Sequence, residues 1–358
     1  MSPSADRIYL DHAATTPMTA AARDAFARGL ALWANPSSPH AEGRAARAAL
    51  EEARGAIGAA HGWRGEVLLT SGASESLGLA LRRTTAARRI ITAVEHDAVM
   101  RAGAEAAVAP VDACGLVDAE ALAAMLAADE GRALVCVQWA NSETGVRQPL
   151  AAIARIVHEA GGWLLVDAAQ MPASAELADH ADLIALSAHK RGGPPGVGAL
   201  LVRDLAMLVP SGGQERGYRP GTENLPGVLA YAAALAEPEP DHARLRARLD
   251  DAIRRSGGEI VADGAPRHPA IGSYRLPGVA ATVQLIRLDA AGFAVSAGSA
   301  CSSGSMKPSH VLAAMGWDEA AGREVIRVSF GRTTGAAEVD AFIAAWRTMA
   351  KATRRFAA

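Results

Sequence analysis

Short runs of apolar residues recur along the first two thirds of the chain, separated by segments with helix-type spacing. The runs occupy residues 66–70, 89–93, 133–140, 163–167, 182–187 and 198–202. Continuous apolar runs of this length, bounded by polar or glycine-rich turns, are typical of strands that are buried on both faces. Their alternation with helices predicts an α/β fold with a mostly parallel sheet flanked by helices.

The pattern changes at residues 237–241, where the sequence reads Glu-Pro-Glu-Pro-Asp. A charged helix at 242–255, strands at 271–276 and 325–330, and a closing helix near 339–351 are predicted to follow it. The chain has 358 residues, and this length exceeds the usual size of one domain. Half of its residues are apolar, so it can bury a large core. We therefore predict a large α/β domain that ends near residue 240 and a smaller α+β domain after it.

Composition excludes several classes of protein. The formal net charge is −2 and the arginines are spread along the chain, so neither a nucleic-acid nor a membrane surface is expected. No segment approaches the roughly eighteen uninterrupted apolar residues of a membrane span, and the amino terminus lacks a secretory pattern. The three cysteines, Cys114, Cys136 and Cys301, lack the paired spacing of a disulfide framework or a zinc site. These features predict a cytoplasmic protein without a metal centre.

Lys190 is one of only three lysines in the chain, since arginine supplies nearly all the other positive charge. It lies between the apolar run 182–187 and the turn Gly-Gly-Pro-Pro-Gly at 192–196. Most lysines are solvated surface residues. An amine retained at a strand end, in a chain that otherwise uses arginine, indicates a group that must lose its proton, as Schiff-base chemistry requires.

Asp167 ends the apolar run 163–167, the predicted strand before the one that leads to Lys190. Open α/β sheets bind ligands at the carboxyl ends of their strands. An amine and a carboxylate at two such ends match the requirements of pyridoxal phosphate, whose aldehyde joins the amine and whose ring nitrogen is held protonated by the carboxylate. Asp167 could equally cap the next helix, and the residues alone leave both interpretations open.

Asp167, Lys190 and further segments of the sequence resemble the cysteine desulfurases of the NifS/IscS type, in the class V aminotransferase group of fold-type I pyridoxal-phosphate enzymes. The resemblance covers almost the whole length. It is carried by Tyr-Leu-Asp-His-Ala-Ala-Thr-Thr-Pro at 9–17 and by the segments 35–44, 70–76, 95–96, 145–149, 167–170, 187–190, 212–222, 299–304 and 327–332. It implies a seven-stranded sheet in a large domain of residues 16–240, a small domain of residues 1–15 and 241–358 that carries the Cys301 loop, and a homodimer.

The resemblance also implies the cofactor, pyridoxal 5'-phosphate, and the residues that hold it. Contacts are expected from Ala73, Ser74, His96, Ser142, Asp167, Gln170, Ser187, His189 and Lys190, and from Thr222 of the partner subunit. Ser71 to Glu75 would supply amides and hydroxyls to the phosphate, although the same residues could form an ordinary capping box. His96 is expected to stack on the cofactor ring and assist proton transfer, whereas a lone histidine after a strand is usually structural. Ser142 departs from the asparagine that the family has at this position.

Cys301 lies in the Gly- and Ser-rich segment 297–305, which is too polar to bury the thiol. Cys114 and Cys136 are expected to be small apolar residues, but Cys301 suits a mobile nucleophile. By resemblance it takes the sulfur of L-cysteine as a persulfide, L-alanine is released, and the sulfur passes to an iron–sulfur scaffold or a tRNA-thiolation relay. Arg327 is expected to bind the substrate carboxylate with its planar guanidinium, and Asn35 is a second candidate for substrate contact.

Two alternatives stay open. Another fold-type I enzyme, such as a selenocysteine lyase or an aminotransferase, would share the cofactor site, but an aminotransferase has no need of Cys301. The second alternative is a cofactor-binding scaffold without activity. Ser142 favours it, and so does Leu77-Gly78, where the family commonly has two asparagines.

Overall fold

The computed structural model describes residues 7–297 and 308–356, with side chains through residue 352. The strands are β1 (Ile8–Tyr9), β2 (Glu66–Thr70), β3 (Arg88–Thr92), β4 (Ala107–Ala109), β5 (Ala133–Gln138), β6 (Trp163–Asp167), β7 (Leu183–Ser187), β8 (Gly198–Val202), β9 (Glu259–Ile260), β10 (Ile271–Arg275), β11 (Phe293–Ala294) and β12 (Val325–Ser329). The α-helices are α1 (Ala20–Ala31), α2 (Ala41–Ala60), α3 (Ala73–Arg83), α4 (Asp97–Ala102), α5 (Ala119–Ala128), α6 (Leu150–Glu159), α7 (Leu225–Leu235), α8 (Ala243–Arg255), α9 (Ala281–Ala290), α10 (His310–Ala314), α11 (Glu319–Gly322) and α12 (Ala336–Phe356).

The large sheet has seven strands in the order β2-β8-β7-β6-β5-β3-β4. Only β8 runs against the others, because it pairs antiparallel with both β2 and β7. The predicted α/β fold with a mostly parallel seven-stranded sheet is confirmed. The hydrophobic pattern missed β4, because that strand has three residues and only Ala109 is buried.

Both faces of this sheet are covered, which explains why its strands are continuously apolar. Successive side chains of a strand point to opposite faces. In β6, Leu164 and Val166 pack in the core on one face, whereas Leu165 packs in the core on the other. A strand that packs against apolar residues on both faces has no alternation of apolar and polar positions. The sequence pattern therefore identified where the strand lies in the chain but not which side chains point to which face.

The carboxyl-terminal third builds a second sheet of β12, β10 and β9, all antiparallel. Tyr274, Phe342 and Trp346 are fully buried in a separate apolar cluster beside this sheet. The predicted strands 271–276 and 325–330 match β10 and β12, and the closing helix α12 is longer than predicted. β1 pairs parallel with β11, so the amino terminus packs at this end of the molecule. The domain boundaries at residues 15 and 240 stay a prediction.

Within residues 7–297 and 308–356, no helix has the length and apolar character needed to cross a membrane. The same residues contain no group of three or more histidine, cysteine, aspartate or glutamate side chains that could hold a metal ion.

Candidate functional site

A cavity of about 380 Å³ opens at the carboxyl ends of β6 and β7. Its size lies within the range usual for small-ligand sites. The residues that line it include nine of those predicted from the sequence: Ala73, Ser74, His96, Ser142, Asp167, Gln170, Ser187, His189 and Lys190. We refer to this cavity as the cofactor pocket.

Asp167 and Lys190 meet in this pocket because their strands are neighbours. β6 and β7 pair in parallel, with Asp167 opposite Ala185, so both strands end at the same edge of the sheet. Lys190 follows β7 in a single 3-10 turn. Its Nζ donates to the carbonyl of Ala13, which also accepts from Gln170 Nε2 at 3.0 Å. One carbonyl from the amino-terminal segment therefore positions two side chains of the pocket.

The environment of Lys190 favours the neutral amine. Burial, together with the nearby Arg327, lowers the pKa of Lys190 to about 8, although Asp167 opposes the shift. Taking an ammonium group out of water disfavours its charged form. The amine therefore loses its proton near neutral pH, as a nucleophile or base must.

Asp167 offers the pocket a carboxylate oxygen. Its Oδ1 accepts from the Ala169 amide at 2.9 Å, whereas Oδ2 has no hydrogen-bond partner among the described residues. The residue is nearly buried, and this burial raises the pKa of Asp167. A carboxylate oxygen that lines a pocket without a protein partner favours a cationic ligand there. The protonated ring nitrogen of pyridoxal phosphate has the required charge.

The amino end of α3 supplies the matching anion site. Gly72 precedes the helix with φ of 149°, a backbone conformation that favours glycine, and no side chain caps the helix. The amides of Ala73 and Ser74 at the first turn therefore have no intrahelical acceptor. Such an end carries partial positive charge and binds phosphate. A capping box is not formed, because the residue at the N-cap position is Gly72 and no side chain caps the helix. Glu75 accepts from the Ser71 amide and pairs with Arg219 at 2.8 Å.

His96 begins α4, where its Nδ1 accepts from the Ala98 amide at 3.1 Å. The proton of the neutral ring is therefore on Nε2. Burial lowers the pKa of His96, so this neutral form dominates near neutral pH. His96 thus presents a neutral ring to the pocket, with one donor nitrogen.

Ser142 lines the pocket next to a fully occupied asparagine. The Asn141 amide donates to Val94 O at 3.0 Å, and its side-chain oxygen accepts from the amides of Glu143 and Thr144. Asn141 is therefore committed to the loop and does not replace the missing family asparagine.

Arg327 lies on β12, beside the cofactor pocket rather than in its wall. The side chain is buried, with Nη2 2.8 Å from Asp11 Oδ1 and Nη1 3.0 Å from the carbonyl of Ser142. Its Nε is buried and has no partner among the described residues. An unpaired buried donor on a cation leaves capacity for one further anionic acceptor.

Three predicted residues are not brought to the pocket of this chain. Thr222 is exposed, and the resemblance assigned it to the pocket of a partner subunit. Asn35 is also exposed, and its Oδ1 accepts from the Ser37 amide at 2.8 Å. Cys301 lies outside the described residues. The roles of all three stay predictions.

The other two cysteines differ in burial. Cys136 lies in β5 within the sheet core, where burial raises the pKa of its thiol well above the ordinary value. Cys114 is half-buried in the loop after β4. A buried thiol with a raised pKa is a poor nucleophile, as expected for a small core residue.

Sequence reasoning missed Asp11 and Ala13, although both lie in the quoted segment 9–17. Ala13 acts through its backbone carbonyl, which no residue pattern reveals. Asp11 acts on Arg327, which is 316 positions away in the chain. The polar pair Asp11-His12, shortly after β1, is the feature of the sequence that could have indicated a functional residue there.

The family model for "Aminotransferase class-V" matches residues 8–342. An IscS-like cysteine desulfurase of Mycobacterium tuberculosis is 39% identical, over 93% of this chain and 93% of its own length. A cysteine desulfurase of Cereibacter sphaeroides is 38% identical over 94% and 93% of the two chains.

Among solved structures, a NifS-like protein from Rickettsia africae superposes with a TM-score of 0.86 and 28% identity, covering 96% of this chain and 99% of that chain. SspA, solved in complex with cysteine, superposes with a TM-score of 0.77 and 27% identity, covering 92% and 100%. These likenesses extend over the sheet, the pocket and the small carboxyl-terminal part alike. The chain therefore belongs to the class-V aminotransferase family and, within it, to the NifS/IscS-type cysteine desulfurases, which use pyridoxal phosphate.

Proposed function

We propose that this cysteine desulfurase converts L-cysteine to L-alanine and collects the sulfur on Cys301 as a persulfide. The observation that carries the proposal is the pairing of a readily deprotonated amine, Lys190, with an unpaired buried carboxylate, Asp167, at adjacent strand ends of one pocket. Relatives that are named cysteine desulfurases match more than nine tenths of the chain. SspA, a structural neighbour, was solved with cysteine bound.

Pyridoxal phosphate is the cofactor, and the pocket fits it at both ends. The first turn of α3, with Ser187 and His189, would hold the phosphate, while Asp167 would hold the ring nitrogen. When bound, the cofactor supplies an aldehyde that joins amines and a ring that accepts the electrons of the substrate Cα–H bond. Gln170 would donate to the phenolic oxygen, since its Nε2 carries a second proton beside the one given to Ala13.

The residues around the pocket divide the remaining work. Arg327 would bind the substrate α-carboxylate through its free Nε and its Nη edge, already oriented by Asp11. Lys190, neutral once released, would take the Cα proton, since its pKa of about 8 is matched to neutral pH. His96 would donate or accept a proton through Nε2 from its position in the pocket wall.

The sulfur step would use Cys301. Its thiolate attacks the substrate sulfur, a sulfur–sulfur bond forms, and the substrate Cβ–S bond breaks. The electron pair of that bond stays with the three-carbon fragment, which takes up protons and leaves as L-alanine. The sulfur of Cys301 then carries the substrate sulfur as a persulfide, and thiol exchange can pass this outer sulfur to an acceptor.

The partners are also part of this proposal. Leu30 and Trp33 are exposed apolar side chains close to Asn35, and a second copy of the chain would cover them. That copy would bring Thr222 of the partner subunit to the phosphate. The persulfide sulfur would go to an acceptor protein of iron–sulfur assembly or tRNA thiolation, in the cytoplasm.

The test is the visible spectrum of the purified protein, followed by assays of alanine and sulfide formed from L-cysteine. Lys190→Ala should lose the visible band of the lysine-bound cofactor and all turnover. Cys301→Ala should keep the band and lose alanine formation, while Cys114→Ala, the matched control, should keep both. Turnover that needs a keto acid and persists in Cys301→Ala would indicate an aminotransferase, and activity confined to L-selenocysteine would indicate a lyase. A band without turnover of any of these would indicate a scaffold.

A further inference from the structure

A second cleft, of about 280 Å³, adjoins the cofactor pocket at Lys190. Lys190 and Gln170 line both spaces, so the two are separated by little more than these side chains. The second cleft opens between the large sheet and the carboxyl-terminal part of the molecule. Nothing in the proposed reaction uses it.

His268 supplies this cleft with a fixed hydrogen-bond donor. The residue is only 7% exposed, and its Nδ1 accepts from the Ala270 amide at 3.0 Å. Burial and the nearby Arg191, Arg246 and Arg147 lower the pKa of His268 to about 3, so the ring stays neutral. A neutral ring whose Nδ1 accepts carries its proton on Nε2. This Nε2–H has no partner among the described residues.

The charges around the cleft are predominantly positive. Arg147, Arg191 and Arg332 line it, and Lys190 lies at its inner end. Glu239 is occupied by two of these arginines, at 2.8 Å from Arg191 and 3.0 Å from Arg332.

Two further carboxylates lie near the arginines, and each offsets part of their charge. Asp241, also in the lining, accepts from the Ala243 amide. Glu176 lies 3.8 Å from Arg147 at the surface, too far for a hydrogen bond. Three arginines thus line the cleft against two carboxylates, Glu239 and Asp241, and its lining keeps an excess of positive charge. Surplus positive charge around a concave surface attracts an anion.

The floor of the cleft is apolar, formed by Ala270, Ile271 and Phe330. A purely inorganic anion would leave this surface against water, whereas an organic acid would cover it. We propose that the second cleft binds a small organic carboxylate, with its oxygens toward His268 Nε2 and Arg147 and its carbon chain against the apolar floor. Because Lys190 lines the cleft, an anion bound there would oppose the positive charges that surround the Lys190 amine.

The experiment is a calorimetric titration of the cofactor-loaded protein with isobutyrate, in a buffer free of carboxylate and phosphate. Isobutyramide, which has the same shape without the charge, serves as the ligand control and should give no binding heat. Loading the protein first keeps the probe out of the phosphate site of α3. Binding of both probes alike would overturn the proposal, because the cleft would then recognise shape and not charge.

Two variants locate the bound probe. His268→Asn keeps a side-chain acceptor for the amide two residues on, but its shorter side chain withdraws the donor from the position of Nε2. Arg147→Gln removes the charge. Its matched control is Arg203→Gln. Both arginines are partly exposed and each stacks over a tryptophan, Arg147 over Trp139 and Arg203 over Trp63, but Arg203 does not line the cleft. His268→Asn and Arg147→Gln should each weaken isobutyrate binding about tenfold or more, and Arg203→Gln should not change it.

A third variant separates this cleft from the substrate site. Arg327→Gln should leave isobutyrate affinity within about twofold, because Arg327 does not line the second cleft. If Arg327→Gln abolishes binding while His268→Asn and Arg147→Gln do not, the probe occupies the substrate site and the proposal fails. Absence of binding heat for isobutyrate in the folded, cofactor-loaded protein would also overturn it, leaving a cleft that holds water only.

Discussion

Arg327 and Asp11 form a partly buried ion pair of 2.8 Å, although 316 positions separate them in the chain. The pairing depends on β12, because Asp11 bridges Ser329 two residues beyond Arg327 on the same strand. The Ser142 carbonyl fixes a second nitrogen of the guanidinium. Arg327 is thus oriented before any substrate arrives, and this lowers the entropic cost of binding a carboxylate.

Asp11→Ala should therefore weaken L-cysteine binding without removing the group that binds it. We expect KM for L-cysteine to rise about tenfold with a smaller change in kcat, because the buried guanidinium loses its fixed orientation. Arg327→Lys should raise KM further, since an ammonium cannot bind a carboxylate bidentately. Steady-state kinetics measure both.

Arg323→Lys is the matched control, because Arg323 pairs with Glu319 at the surface. It should leave both constants unchanged. If Asp11→Ala lowers kcat and leaves KM as it was, Asp11 acts on a step after substrate binding.

The lowered pKa of Lys190 predicts how the protein takes up its cofactor. Only the neutral amine reacts with an aldehyde. The rate of pyridoxal phosphate loading into cofactor-free protein should thus rise about tenfold per pH unit below about pH 8 and level off above it. Stopped-flow absorbance measures this rate.

Arg327→Gln should move that plateau to higher pH, because Arg327 is one of the charges that lower the pKa of Lys190. Arg323→Gln, remote from the pocket, should leave it in place. A wild-type rate that keeps rising to pH 10 would show that Lys190 has the pKa of an ordinary lysine.

Glu95 predicts a pH dependence of stability. Burial raises the pKa of Glu95 to about 8, and its Oε2 has no partner among the described residues. A folded-state pKa above the unfolded value means that stability is full at low pH and is lost as pH rises toward 8. Glu95→Gln, which cannot ionise, should thus gain stability relative to wild type from about pH 5 to 8, by up to about 1.4 kcal/mol per pH unit.

Urea unfolding of the cofactor-loaded proteins across this range measures the difference for Glu95→Gln. Glu319→Gln removes an exposed carboxylate and should show no such trend. A constant difference between Glu95→Gln and wild type would mean that Glu95 is ionised in the folded protein throughout.

Glu215 holds the segment 212–222 to the large sheet. Its carboxylate is fully buried, binds Arg54 through both oxygens and accepts from the Leu69 amide at 2.8 Å. Glu215→Ala would leave Arg54 buried without its partner, and breaking such a pair costs about 3–5 kcal/mol. Urea unfolding should show a loss of this size. Asp251→Ala, which breaks an exposed pair with Arg255, should change stability by less than about 1 kcal/mol.

The sequence could place the large sheet because its strands are apolar on both faces. It could also place Asp167 and Lys190, since Asp167 ends one such strand and Lys190 closely follows the next. It could not place β4, which has only three residues and is mostly exposed, nor the pairing of β1 with β11, which joins residues 285 positions apart. Neither local propensity nor periodicity carries information about which distant segments pair.

The residues themselves determined the chemistry: a rare lysine after one strand, an aspartate at the end of its neighbour, a helix start rich in small and hydroxyl residues, and a cysteine among glycines and serines. Tertiary structure alone decided the state in which those residues are held. Only folding buries Lys190 beside Arg327, leaves one Asp167 oxygen unpaired, and aligns Arg327 against Asp11. The physical reason is that pKa and side-chain orientation depend on desolvation and on neighbouring charges, and these neighbours come from distant parts of the chain.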